Sequence, residues 1–137
     1  MPSALLSNLQ YNIDLNIDSE ASVSVKHCDW FDYVSGGNSG KIESSSGISD
    51  EEFDLVIGSD LVNWEEDVRP LISTLKYFLR NGKSRALLFI SIENRKALQT
   101  FLDLIKEEFE VAETTKIYLM QYDEMKPIMM VNLMKSC

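Results

Sequence analysis

The stretch from Glu52 to Glu65, Glu-Phe-Asp-Leu-Val-Ile-Gly-Ser-Asp-Leu-Val-Asn-Trp-Glu, constrains the fold of this chain more than any other. Between Phe53 and Ile57 only Asp54 interrupts an apolar run, and the run stops at Gly58-Ser59-Asp60. The pattern predicts a strand buried on both faces, the habit of a parallel sheet rather than of an amphipathic edge. A carboxylate just past the carboxyl end of such a strand lies where open α/β sheets bind ligands. Glu65, Glu66 and Asp67 then open a periodic segment, and acidic side chains suit the positive end of a helix.

Length and charge limit what surrounds this strand. The 137 residues suffice for one domain with a real core. Acidic side chains outnumber basic ones by 22 to 13, giving a net charge of -9. Such a surface repels phosphate backbones, and the sequence holds no local basic patch, so no nucleic-acid partner is expected. The longest apolar stretch, Ala86 to Ile90, is far short of a membrane span. Met1-Pro2-Ser3-Ala4-Leu5-Leu6 lacks a basic region followed by an apolar one, so no secretory signal is expected. Cys28 and Cys137 lie near opposite ends and read as reduced thiols of an intracellular protein. The expected location is the cytoplasm, with the nucleus also open.

Helical spacing of Leu5, Leu6, Leu9 and Ile13 predicts an amphipathic helix from about Ser3 to Asp14, with Ser3 as its cap. Asn8, Asn12 and Asn16 fall four apart on another arc; they either tie down adjoining loops or face a ligand. Ala21 to Lys26 alternates apolar or small with polar residues and predicts a short strand ending near His27-Cys28. A lone His27 reads as structural or exposed rather than metal-binding. Asp29-Trp30 has two readings: a flat ligand stacked on the indole with its amine on the carboxylate, or a core tryptophan beside a surface aspartate. From Ser35 to Ser49 the composition falls to Ser, Gly and a few charges, which predicts a flexible, dispensable loop. Its glycines follow no strand and precede no Gly-Lys-Ser/Thr, so they make no phosphate cradle.

Val68, Leu71, Ile72, Leu75, Phe78 and Leu79 predict a helix over 65–80, ended by Asn81-Gly82. Arg85 to Ile92 predicts a second buried parallel strand, and Leu98, Phe101, Leu102, Ile105 and Phe109 a helix over 96–108. Glu110 to Tyr122 and Ile128 to Met134 read as strands joined by a turn at Asp123–Pro127, so they must run antiparallel. The whole is one α/β domain over 1–137 with helical crossovers and no glycine-rich strand-to-helix turn.

Two segments carry a resemblance. Leu5-Leu6-Ser7-Asn8-Leu9-Gln10-Tyr11-Asn12, with Asn16 beyond, resembles the helix after the second strand of class I S-adenosylmethionine-dependent protein methyltransferases. The nearer likeness is to the branch that methylates lysines of cytosolic proteins such as chaperones, elongation factors and calmodulin. Phe53 to Val62 is similar to that family's fourth strand and the motif after it, aspartate, two apolar residues, then tyrosine. Asp60, Leu61 and Val62 match, while Asn63 stands where the family has an aromatic, with Trp64 next to it. The resemblance implies S-adenosylmethionine as cofactor and a lysine-bearing protein as substrate or client. It implies that Asp29 and Trp30 contact the adenine, and that Asp60 lies between cofactor and target amine, with Asn63 beside the amine.

The family's sheet order is 3-2-1-4-5-7-6, and its glycine-rich loop and first two strands have no counterpart in these 137 residues. The expected fold is therefore an incomplete Rossmann-like sheet, mostly parallel with an antiparallel carboxyl-terminal pair. The fourth strand becomes an exposed apolar edge open to self-association. The expected function is that of a protein-lysine methyltransferase inactive alone. A non-catalytic interaction module or shortened isoform is the alternative, and a doubly wound nucleotide binder is disfavoured because no phosphate loop follows a strand.

Overall fold

A computed structural model of the chain describes residues 2–17, 22–34, 48, 52–92, 96–109, 111–121 and 124–134. Helix α1 spans Pro2–Asn16. A short 3-10 helix spans Trp30–Tyr33. Strand β1 (Leu55–Ser59) leads to α2 (Glu65–Phe78), β2 (Arg85–Ser91) and α3 (Lys96–Glu108). The strands β3 (Val111–Gln121) and β4 (Glu124–Met134) close the described chain. The sheet order is β1-β2-β4-β3. This is the 4-5-7-6 portion of the order that the resemblance implies. β1 and β2 run parallel, with Val56 opposite Ala86 and Gly58 opposite Leu88. The β2–β4 and β4–β3 pairs are both antiparallel, so of the three pairings only the first is parallel.

The crossovers follow from the apolar stripes. α2 buries Val68, Leu71, Ile72 and Leu75, and α3 buries Ala97, Phe101 and Ile105. Together with Ala86, Leu88 and Ile90 of β2 and Val131 and Leu133 of β4 they form one core. At the end of α2, Gly82 takes φ 70, a left-handed conformation that a residue with a Cβ adopts at a cost. Asn81 Oδ1 accepts from the N–H groups of Lys83 (3.0 Å) and Ser84 (2.9 Å) and so shapes the entry to β2. The buried Ser84 hydroxyl reaches Asn81 Oδ1 and the Phe53 carbonyl, tying the starts of both parallel strands together. Pro127 pairs with Tyr118 just beyond the last β2 partner, Ile128, where β4 has a neighbour on one side only, the place in a sheet that tolerates proline.

Several expectations are corrected. β1 is not buried on both faces: Leu55 is 51% and Ile57 67% exposed, because among the described residues β1 has a strand on one side only and no helix covers their face. Residues 22–29 form no strand; among the described residues they have no ladder partner, and a single strand without one gains nothing from alternation. Ser3 lies inside α1, which begins at Pro2. Among the described residues the asparagines bond back onto their own helix rather than onto a loop: the Asn12 amide donates to the Asn8 carbonyl (2.9 Å), and the Asn16 amide to the Asn12 carbonyl (2.7 Å). Of the loop 35–49 only Ile48 is among the described residues. Ile48 is buried, whereas the composition of the segment predicts a flexible, dispensable loop. It lines a small apolar cavity of about 250 Å³ with Cys28, Phe53, Leu55, Val56 and Phe78.

Candidate functional site

The carboxyl end of β1 is held in a specific shape. Asp60 has φ 58, and among the described residues it is the one non-glycine in the left-handed region, which aspartate tolerates better than most. Its N–H donates to the Phe89 carbonyl at 2.8 Å, continuing the β1–β2 ladder one step past Ser59. Its carbonyl accepts from the Asn63 amide at 3.0 Å, which closes the loop beneath the exposed carboxylate. Val62, buried in the core, anchors the same loop from inside. Asp60 and Asn63 are therefore brought together by backbone geometry, and both residues are exposed.

Trp64 then starts α2 without a side-chain cap, and Glu65, Glu66 and Asp67 occupy the first turn. Across from them lies the start of α3, after the neighbouring strand. Thr100 Oγ1 donates to Glu65 Oε1 at 3.4 Å. Between the two helix starts is a cleft of about 410 Å³ lined by Asn63, Trp64, Glu65, Glu66, Lys96 and Ala97. It sits outside the carboxyl ends of two adjacent parallel strands, the usual ligand position in an open α/β sheet. Lys96 and Ala97 escaped the reading of the sequence. They become visible once two parallel neighbours are recognised, because both following helices must begin at the same end of the sheet.

Asp29 and Trp30 are anchored elsewhere. The Asp29 carboxylate caps the 3-10 helix, accepting from the Phe31 N–H at 3.0 Å. Trp30 is half-buried against the core, and its carbonyl accepts from Thr74 Oγ1 at 3.5 Å. Tyr33 packs on Tyr77 and Phe78, with ring centroids 5.1 and 5.6 Å apart, and Phe78 in turn meets Phe53 at 5.5 Å. This aromatic cluster draws the 3-10 helix onto the second half of α2, by the beginning of β1. Thr74 lies nine residues beyond Glu65, about 14 Å along the helix axis. The expected adenine contacts and the expected amine contacts thus attach at separate points of α2.

His27 is exposed, and among the described residues no group of three or more His, Cys, Asp or Glu could hold a metal ion. Burial in the apolar cavity pushes the Cys28 thiol above its ordinary range, with Asp29 and Asp32 adding to the rise and a bond with Tyr33 opposing it. No described helix is long and apolar enough to cross a membrane.

A family model described as lysine methyltransferase matches residues 2–108. The chain belongs to the lysine methyltransferase family. No curated protein matches it. The matched region contains Asp29, Trp30, Asp60 and Asn63 and ends with α3, before the β3–β4 hairpin.

Membership implies S-adenosylmethionine as the methyl donor of the family. A half-buried indole with a carboxylate beside it suits a purine, and Asp60 stands where a strand end meets a ligand. Neither the cavity of about 250 Å³ nor the cleft of about 410 Å³ is lined by Asp29, Trp30 or Asp60. Among the described residues neither hollow joins Asp29 and Trp30 to Asp60 in one enclosure for ribose and methionine.

Proposed function

We propose that this chain carries the substrate side of an S-adenosylmethionine-dependent protein-lysine N-methyltransferase, and that the 137-residue polypeptide does not methylate by itself. The observation that carries this reading is Asp60, held in a left-handed turn and tied to β2 and to Asn63 at the carboxyl end of a parallel strand. Backbone strain of about 1–3 kcal/mol persists where the surroundings enforce it, commonly at functional sites. In this role the Asp60 carboxylate accepts a hydrogen bond from the lysine ammonium and orients the nitrogen once the ammonium has given a proton to solvent, and Asn63 keeps the loop from collapsing. Positioning of that kind supplies much of the rate of a transfer between two bound groups. Asp29 and Trp30 hold the adenine, and Thr74, whose hydroxyl bonds the Trp30 carbonyl, lies about 14 Å along α2 from Glu65. The glycine-rich turn that would enclose the rest of the cofactor occurs nowhere in the sequence, which is why affinity and turnover are low.

A non-catalytic reading is favoured by the same geometry: the cleft at the starts of α2 and α3 needs no cofactor to bind a client protein. The bare β1 edge would further promote self-association, and the balance of cysteines and charge suits the cytoplasm or nucleus. The decisive assay follows transfer of a labelled methyl group to lysine-bearing cytosolic proteins. The 137-residue chain should give only background. A chimera with the glycine-rich half of a family relative joined ahead of residue 1 should give transfer, cut at least tenfold by Asp60→Asn. An inert chimera that is folded and binds cofactor would overturn the methyltransferase reading and leave the client-binding one.

A further inference from the structure

The cleft between α2 and α3 has chemistry that the placement of a target lysine at Asp60 does not use. Trp64 is 68% exposed and makes no ring contact among the described residues, while its neighbour Val62 does the anchoring of the loop. An indole left in water at a strand-to-helix junction forgoes the burial that normally retains tryptophan. Beside it, Glu66 is exposed and has no ion pair among the described residues. The sign of the ligand follows from the first turn of α2. An anion drawn to that helix start would meet Glu65, Glu66 and Asp67, whereas a cation meets carboxylates and an aromatic face. The net charge of -9 adds attraction for basic segments at longer range.

We propose that the cleft lined by Trp64, Glu65, Glu66 and Lys96 seats a second cationic side chain of the bound protein, an arginine or lysine close in sequence to the target lysine. The inference rests on the reading of Asp60 as the lysine side of the site. The cation lies over the Trp64 ring with Glu66 alongside, and Lys96 on the opposite wall repels it, confining it to the tryptophan side. Trp64 is four positions after Asp60, a reach of at most about 14 Å. An extended substrate therefore carries its second cation within about four residues of the target. Trp64 is in this sense a specificity residue: it touches the substrate but not the reacting atoms.

The test is calorimetric titration of the 137-residue chain with two peptides of identical composition. In one, arginine stands two residues after the single lysine; in the other it is moved to the far end. The paired peptide should bind about three- to tenfold more tightly, the range expected of one cation–aromatic contact. Trp64→Ala should equalise the two peptides, Trp64→Phe should keep part of the preference, and Lys96→Glu should enlarge it. Circular dichroism of each variant checks that the fold is retained, as exposure of both side chains leads one to expect. Equal binding of the two peptides by the wild-type chain, no binding of either, or a preference that survives Trp64→Ala would overturn the proposal. Failure of the methylation reading looks different: the active chimera assay fails while the peptide preference persists, also in Asp60→Asn.

Discussion

β1 and β2 are neighbours with much the same apolar composition, and they end in opposite states. Leu88 of β2 is 1% exposed, packed among α2, α3 and β4, whereas Ile57 of β1 is 67% exposed one strand away. The difference lies in what flanks each strand. β2 has β1 on one side and β4 on the other, and both helices cover its inner face. Among the described residues β1 has β2 alone, and Val56 and Gly58 turn toward the covered side. An apolar run thus specifies a strand, but its burial is decided by neighbours that lie elsewhere in the sequence.

That contrast can be broken most sharply in the core. Phe101→Ala removes a fully buried ring from α3 and should cost about 3–5 kcal/mol, read as a shifted urea midpoint. A loss under 1 kcal/mol would mean that the helices are not packed on β2 as described. Next in size, Gly58→Ala probes the covered side of β1. A Cβ there would stand 2.5 Å from Leu61 Cδ1 and 2.9 Å from Leu88 Cδ2. Leu88 has no room to withdraw, so overpacking should cost about 1–3 kcal/mol by the same measurement. On the bare side, Ile57→Ser should change stability by no more than about 0.5 kcal/mol. A large loss would show that β1 is covered in solution, by another copy of the chain or another segment. The smallest effect is chemical. Burial raises the Cys28 pKa, so less thiolate is present at a given pH, and alkylation mapped to that residue should run slower than for a free cysteine across pH 7–9. A rate equal to the free thiol would mean that the cavity beside β1 is open.

The parts of the fold legible in the sequence were those decided locally. The 3.6-residue stripes of α2 and α3 and the short connection between β3 and β4 each specify their own element, and the β1-α2-β2 order implies the parallel pair. What the sequence left hidden depends on partners. The alternation from Ala21 to Lys26 looks like a strand, but a strand needs a ladder, and residues 22–29 have none among the described residues. The site divides in the same way. Asp60 and Asn63 are close in sequence, and their association follows from one turn. Trp30, in contrast, is positioned by the packing of Tyr33 on Tyr77 and Phe78, more than forty residues on, which no local pattern announces.

Central to the proposed function is that this chain holds contacts for the adenine of the cofactor and for the target amine, and lacks those for the ribose and the methionine. Calorimetric titration of the purified 137-residue polypeptide with S-adenosylmethionine tests it most directly. The account predicts no saturable binding below roughly millimolar concentration, equivalent to about 4 kcal/mol. Trp30→Ala should weaken even the residual signal by removing the face offered to adenine. Micromolar binding that is indifferent to Trp30→Ala would contradict both the assignment of the adenine contact and the view that the absent glycine-rich turn limits the activity.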